Sequence, residues 1–407
     1  MPTIAAPRQT VLFTSCRTLA MERSHFRRIE REFGQEIGLL GLYTAGIALH
    51  QKEVLPLAER VVHGGFDRRM VEETEEDFRI HDPLLYLTMR QEMVWDEPWR
   101  DLARLVVMSD LTRLGHRVAA FAPDPEVYEY ADPQQLELVK EAGVAERDII
   151  FLAKPSHDEP TGSIAFPRDL FVQQKDTVYV APGEHNPYGW QGFFNWAVGL
   201  KRNHSRIGMG GEVIIADNFA LLSEQVRPDL AMFGGIADPM AEFLSMTTIG
   251  ESEHTLKRMG KQVYRIPTGW MELFPPAVIE EVGGDKPILI PADHADMQVL
   301  HLPAENALFF SERYYRENRS FLERLVEQVR PELSGTLPDE DGMPVNSLPL
   351  PGGGVYMDAA ARRSVMILRR LGIRVETTSR PFGSWAWGTN GGIHCATNQV
   401  VLPAEKE

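Results

Sequence analysis

The sequence has few cysteines, no long hydrophobic run and no excess of positive charge, and each absence excludes a class of protein. Only two cysteines, Cys16 and Cys395, occur among 407 residues. Neither a disulfide framework nor a cysteine-based zinc site is therefore predicted. No apolar run approaches membrane-spanning length, and the first residues lack the basic and apolar regions of a signal peptide. The sequence predicts a cytoplasmic protein that is neither exported nor bound to a membrane.

The charge balance bears on the kind of partner. The formal net charge is −16, whereas nucleic-acid binding draws most of its affinity from Lys and Arg that neutralise phosphates. We therefore expect no nucleic-acid partner, and a small cationic substrate suits this field better. Apolar residues make up 43% and charged residues 25% of the chain, which is typical of a globular protein that folds throughout. The composition leaves the oligomeric state open, and a homo-oligomer is compatible with it.

The pattern of apolar residues predicts an α/β chain. β-rich runs are predicted at 10–14, 117–121, 148–152, 177–180, 212–215, 287–290, 298–302 and 373–377. Amphipathic helices are predicted at 190–203, 320–329 and 358–371, with Gly372 as the stop of the last one. Residues 20–115 lack strand signals and are interpreted as a helical insertion or subdomain, and the Pro- and Gly-rich residues 331–354 as a long surface loop.

Four short segments place polar residues beside predicted strands. They are Phe166–Asp169 with its Arg168-Asp169 pair, Met209–Glu212 with its two glycines, Asp293–Met297 with His294 and Asp296, and Gly391–Cys395. The first, second and fourth have an ordinary structural explanation: a surface ion pair, a glycine turn and an inert cysteine. For the third, a metal site is the rival interpretation, but no His-His-carboxylate partner set is evident in the sequence. For the third segment, alternation along a strand would put His294 and Asp296 on one face.

Taken together and in this order, the four segments resemble the arginine deiminase and amidinotransferase superfamily, the pentein enzymes that modify guanidino groups. Phe166–Asp169 resembles the family's aromatic-x-Arg-Asp motif, and Met209–Glu212 resembles its Glu-Gly-Gly-Asp motif. His294–Met297 resembles His-x-Asp-Met, and Gly391–Cys395 resembles the terminal Gly-Gly-x-His-Cys. The resemblance covers about residues 160–403. It implies one catalytic domain over residues 1–407, a five-bladed α/β propeller that carries the helical insertion near its N-terminus.

The resemblance also implies roles for the matched residues. Cys395 is expected to be the nucleophile and His294 the general acid and base, while Asp169 and Asp296 hold the N–H edges of a guanidinium. Arg168 and Glu212 join the predicted substrate-binding residues. The implied reaction is hydrolysis of arginine or a related guanidino compound, as a deiminase or dihydrolase, through a covalent thiouronium intermediate. No cofactor and no metal are expected.

Two alternatives stay open at this stage. An amine that entered in place of water would make the protein an amidinotransferase acting through the same intermediate, and the superfamily also contains catalytically silent binding proteins. Met209 supports the silent alternative because it stands where the family has Glu or Asp, and Glu212 stands where Asp is usual. His394 is interpreted as a structural residue, since neighbours on a strand point to opposite faces.

Overall fold

The chain folds into small mixed sheets with helices between their strands. The computed structural model describes residues 9–15, 97–123, 133–152, 168, 171–180, 190–203, 210–224, 239–267, 269–272, 289–292, 294–382 and 392–403. Within these ranges strands and helices alternate along the chain, which confirms the predicted α/β class.

The elements are numbered in chain order. The strands are β1 Gln9–Ser15, β2 Arg117–Pro123, β3 Ile149–Leu152, β4 Phe171–Gln174, β5 Thr177–Val180, β6 Lys201–Asn203, β7 Val213–Ile215, β8 Phe219–Ser223, β9 Gln262–Ile266, β10 Gly269–Glu272, β11 Leu289–Ala292, β12 Val299–Leu302, β13 Ala307–Ser311, β14 Leu333–Leu337, β15 Leu348–Pro349, β16 Val355–Met357, β17 Val375–Thr377 and β18 Thr397–Leu402. The helices are α1 Glu97–Arg113, α2 Pro133–Glu141, α3 Trp190–Trp196, α4 Pro239–Arg258, α5 Glu312–Glu317, α6 Arg319–Val329 and α7 Arg362–Arg370. Short 3-10 turns lie at Glu146–Asp148, Gly210–Glu212 and Ala295–Met297.

Five sheets among the described residues repeat one pairing pattern. In each, a middle strand pairs antiparallel on one side and parallel on the other, and a helix lies between the two parallel strands in the sequence. The middle strands are β1, β5, β8, β13 and β16. Strand β3 extends the first sheet, and β10 and β11 form a separate antiparallel pair. Whether these sheets close into a five-bladed propeller stays a prediction.

The middle strands form the core of their sheets because both of their faces are covered. Every residue of β8 and of β13 is buried, as expected for strands packed on two sides. Helix α6 covers one of these faces with Leu322 and Leu325, which share an apolar cluster with Phe310. None of the helices in the described part of the chain is both long and apolar enough to cross a membrane.

Side-chain amides join the first sheet to the second. The Gln173 amide donates to the Val401 carbonyl at 2.8 Å and accepts from the Val401 N–H at 2.7 Å, so it replaces a strand partner at this edge. Asn398 donates to the Phe171 carbonyl at 3.0 Å in the same way. These contacts fix strand β18, and with it the turn that carries Cys395, against the strand that follows Arg168.

Two predicted elements need correction. Helix α3 ends at Trp196, because residues 201–203 pair in parallel with β5 and the Leu200 N–H closes a turn onto the Ala197 carbonyl. Residues 331–354 are not a surface loop: they contain β14 and β15, and Asn346 within them is 1% exposed. Of the helical insertion at 20–115, only α1 lies within the described residues. The predicted stop at Gly372, with φ of 80°, is confirmed.

His301 is expected to make the fold sensitive to acid. It lies in β12 with its ring edge-to-face on Phe219, and burial lowers its pKa to about 4, against a smaller opposing effect of Asp217. Between pH 6.5 and pH 4, His301 therefore binds a proton in the unfolded chain and stays neutral in the folded protein. The free energy of unfolding consequently falls as the pH falls. We expect a loss of about 3 kcal/mol by pH 4 from this residue.

Urea unfolding of wild type and His301→Gln at pH 7, 6, 5 and 4 measures this contribution. The difference between the two proteins should change by that amount over the range, because every other group titrates in both. If the free energy of unfolding has the same pH dependence in both proteins, the pKa of His301 is the same in the folded and the unfolded chain, and the prediction is wrong.

Candidate active site

His294 and Asp296 lie in the turn between β11 and β12. His294 is the residue before the 3-10 turn Ala295–Met297, and its carbonyl accepts from the Met297 N–H at 3.2 Å. This geometry differs from the strand alternation that the sequence predicts. Asp296 is nonetheless 2% exposed, since the turn folds its side chain inward beside the turn Gly210–Glu212 and strand β7.

Cys395 also lies in a turn, directly before β18, and not at the start of the strand. The Ala396 N–H bonds to the Gly392 carbonyl at 3.0 Å, and the Thr397 hydroxyl bonds to the Ile393 carbonyl at 2.7 Å. These contacts wind residues 392–397 into a helical turn. Strand alternation therefore does not apply here, and His394 and Cys395 both face Asp296.

The two turns bring three functional groups together. One side-chain atom each of His294, Asp296 and Cys395 lies within 4.8 Å of the others. The Cys395 Sγ is 3.5 Å from Oδ2 and 3.7 Å from Oδ1 of Asp296. We call this trio the Cys395 cluster. It contains a thiol, an imidazole and a carboxylate, side-chain types that covalent catalysis can use. These three are also zinc-ligand types, so the expected absence of a metal needs a test.

His394 is part of this site, which corrects its interpretation as a structural residue. Its Nδ1 lies 2.7 Å from Asp296 Oδ2. Burial lowers the pKa of His394, helped by the charge of Arg168 and opposed by the hydrogen bond to Asp296. A carboxylate only accepts hydrogen bonds, so the neutral ring carries its proton on Nδ1 and donates it to Asp296.

Asp296 is held in its ionised form. Burial alone would raise its pKa, but the hydrogen bond with His394, the charges of His394 and His294 once these rings are protonated, and the charge of Arg168 outweigh burial, so the pKa lies below its usual value. The site therefore presents a fixed negative charge beside a sulfur atom. Such a charge favours a cation in the same space.

Arg168 lies behind the Cys395 turn. Its backbone N–H donates to the Cys395 carbonyl at 3.4 Å, and its guanidinium lies 3.4 Å from Asn398 Oδ1 and 3.5 Å from the Val213 carbonyl. Its predicted contact with substrate stays a prediction. Its positive charge contributes to the lowered pKa of both Asp296 and His394.

Glu212 is buried beside the turn that carries Asp296. Glu212 is 4% exposed and is the last residue of the turn Gly210–Glu212. This turn packs against the turn Ala295–Met297. Among the described acidic, His and Cys side chains, the group within 4.8 Å does not include it. Asp169, Met209 and Cys16 lie outside the described residues, so their predicted roles stay predictions.

Asn346 is the residue at this site that sequence reasoning missed. It follows Val345 in the segment interpreted as a surface loop, yet its side chain touches both turns of the site. The available signal is local: Asn346 and Ser347 are polar residues between the apolar Val345 and Leu348, and all four are buried.

Comparisons with known proteins give fold likeness alone. A scan of protein-family models gives no match, and a search of curated protein sequences gives none either. An inosamine-phosphate amidinotransferase from Streptomyces griseus is similar with 12% identity over 70% of this chain and 82% of that chain, at a TM-score of 0.41. The agmatine deiminase of C. jejuni with substrate bound is similar with 10% identity over 75% and 90%, at a TM-score of 0.45.

DDAH from Pseudomonas aeruginosa in complex with citrulline is a third similar structure, with 14% identity over 68% of this chain and 90% of that chain and a TM-score of 0.37. At these identities and TM-scores the argument about function rests on the site itself.

Proposed function

We propose that this protein is a cysteine-dependent pentein hydrolase that acts on arginine or a related guanidino compound. The observation that carries the proposal is the Cys395 cluster, in which a sulfur, an imidazole nitrogen and an ionised carboxylate lie within 4.8 Å. Burial of Cys395 beside Met297 and Met343 is also what an inert cysteine shows. The charged Asp296 and the two imidazoles distinguish this environment from an apolar core.

Substrate recognition in this proposal follows from charge and shape. A guanidinium is a planar cation that stays protonated in water. An ionised Asp296 accepts hydrogen bonds from one N–H edge, and Asp169 is proposed to hold another. Such a grip leaves the central carbon open to the Cys395 sulfur, and the bound cation itself favours the thiolate.

The proposed reaction has two covalent steps. The Cys395 thiolate attacks the central carbon, a C–S bond forms, and a C–N bond breaks as protonated His294 gives its proton to the departing amine. The thiouronium that results is attacked by water, and neutral His294 takes the proton from that water. Breakage of the C–S bond then releases a ureido product and returns the thiolate.

An amine could take the place of water in the second step, which would make the enzyme an amidinotransferase. A panel of guanidino compounds, each incubated with and without acceptor amines and with and without EDTA, separates these outcomes. Release of a ureido product without acceptor, unchanged by EDTA, supports the hydrolase. Products formed only with an acceptor identify a transferase, and absence of turnover across the panel supports a silent binding protein.

The fold is consistent with the proposal. Five described sheets share one pairing pattern with a helix before the parallel strand, which is the kind of unit that a five-bladed α/β propeller repeats. The turns with Asp296 and Cys395 both follow or precede such sheets. We propose that the sheets surround the Cys395 cluster within one domain over residues 1–407.

Glu212 and Met209 test how this chain replaces the missing family carboxylate. If Glu212 has taken over that task, Glu212→Gln should lose about 2–4 kcal/mol of transition-state stabilisation, as other preorganised electrostatic groups do. kcat/KM of Glu212→Gln and of Met209→Glu, measured beside wild type, checks this. An unimpaired Glu212→Gln enzyme refutes the replacement, and activity gained by Met209→Glu would show that the carboxylate was simply lost.

A further inference from the structure

Asn346 touches both turns of the site with both ends of its side chain. Its Oδ1 accepts from the Gly392 N–H at 2.8 Å and from the Cys395 N–H at 3.1 Å. The backbone carbonyl oxygen of Asn346 accepts from the His394 N–H at 3.0 Å. Three hydrogen bonds thus connect the turn that carries Cys395 to one residue, Asn346, which is 1% exposed.

These contacts settle which way the amide points. Two backbone N–H groups require an acceptor, so the oxygen faces Gly392 and Cys395, and the NH2 group faces the other way. There Nδ2 lies 3.1 Å from the Cys395 Sγ, 3.1 Å from the Asp296 carbonyl and 3.3 Å from the Met297 Sδ. The two N–H donors are therefore shared among the sulfur and the turn that carries Asp296.

We propose that Asn346 is the positioning residue of the nucleophile, which donates an N–H to the Cys395 sulfur and fixes the distance between that sulfur and Asp296. The inference deepens the proposed function and rests on it for its effect on turnover. A hydrogen bond to a charged acceptor is stronger than one to a neutral group. Asn346 therefore favours the thiolate over the thiol, against the opposing charge of Asp296.

Gly392 gives this arrangement an independent observation. A Cβ at this position would lie 2.8 Å from Asn346 Oδ1, 2.9 Å from its carbonyl oxygen and 3.0 Å from its Cβ. These atoms belong to Asn346, which is buried and cannot move aside without disturbing its own packing. Glycine is thus required here by the close approach of Asn346, and a methyl group would push the Cys395 turn away from the amide.

The test uses the thiolate absorbance near 240 nm and needs no substrate. The parent protein carries Cys16→Ser, so Cys395 is its remaining cysteine. The part of the absorbance change that disappears in Cys395→Ser therefore comes from Cys395, and its midpoint is the pH at which half of the Cys395 thiol is ionised. We expect Asn346→Ala and Gly392→Ala to raise this midpoint by about one to two pH units. Ser347→Ala is the matched control, because this neighbour is equally buried and its hydroxyl has no hydrogen-bond partner among the residues that the structure describes. We expect its midpoint to be that of the parent protein.

A tie between loops alone would give a different result. It would lower the thermal unfolding temperature of Asn346→Ala and leave the absorbance midpoint in place, and that outcome overturns the proposal. If Asn346→Ala and Gly392→Ala both fail to fold, selective 15N labelling of asparagine in the parent protein decides. One side-chain amide should then shift with the midpoint of the thiolate and stay constant in Cys395→Ser; its absence overturns the proposal.

The same measurements separate this inference from the proposed function. A raised midpoint in a protein that turns over no guanidino compound would support Asn346 and contradict the hydrolase. Where the parent protein is active, Asn346→Ala should lose about tenfold to a hundredfold in kcat at neutral pH, recovered in part as the pH rises.

Discussion

Cys395→Ser is expected to abolish turnover of the guanidino substrate and to leave the fold intact. A serine hydroxyl at neutral pH is a far weaker nucleophile than a thiolate, and nothing in the Cys395 cluster is a base strong enough to replace that difference. We expect kcat to fall by about 10⁴-fold or more, as for other enzymes that lose their nucleophile. Steady-state release of ureido product measures the loss.

The fold should tolerate the change because the replaced group is small and its surroundings are partly polar. The Asn346 amide and the Asp296 carboxylate that contact the sulfur can both hydrogen-bond to a hydroxyl. Thermal unfolding should stay within a few degrees of wild type. Cys16→Ser is the matched control, expected to be nearly neutral in both measurements. Comparable loss of activity in the two variants would contradict the assignment of the nucleophile.

Eight of the eighteen described strands were predictable, because their apolar runs carry a local signal. The predicted runs at 10–14, 117–121, 177–180 and 298–302 fall on β1, β2, β5 and β12. The strand-pairing pattern that five of the described sheets share was not predictable. Each unit pairs strands across an intervening helix, and the residues that pair, such as Val11 and Arg117, share no local pattern.

The site was predictable as a set of segments but not as a geometry. His294, Asp296 and Cys395 were found through motifs, and their proximity depends on two turns that alternation does not describe. His394 was misjudged because the rule for strands was applied to a turn. Asn346 was missed because a Pro- and Gly-rich composition predicts exposure, whereas here β15 and the Cys395 turn cover the segment.

Asp296→Asn is expected to have the second largest effect on turnover. The amide keeps the shape of the carboxylate and can still accept a hydrogen bond from His394, so the change removes the charge and little else. Without the charge, the guanidinium loses its ionised partner at the attacked edge. We expect kcat/KM to fall by about 10²–10³-fold, the usual cost of one preorganised electrostatic group.

Asp296→Asn should also make the free energy of unfolding less sensitive to acid. The lowered pKa of Asp296 means that ionised Asp296 stabilises the fold above the pKa of the unfolded carboxyl, and that this share is lost as the pH falls through the folded value. Asp296→Asn should lack that share of the acid sensitivity. Urea unfolding at pH 7 and at pH 3 measures the difference from wild type.

Asp358→Asn is the matched control for both measurements. Asp358 is also fully buried, but its carboxylate accepts from the Ala360 and Phe382 N–H groups, away from the Cys395 cluster. Both N–H groups bond to the same oxygen, Oδ1, which the amide oxygen of Asn can replace. Asp358→Asn should therefore keep kcat/KM, and the acid sensitivity that Asp296 contributes, since no charge at the Cys395 cluster changes. An Asp296→Asn enzyme that retains kcat/KM within about threefold would contradict the proposed grip on the cation. Equal activity loss in both variants would instead assign the effect to a general disturbance of buried carboxylates.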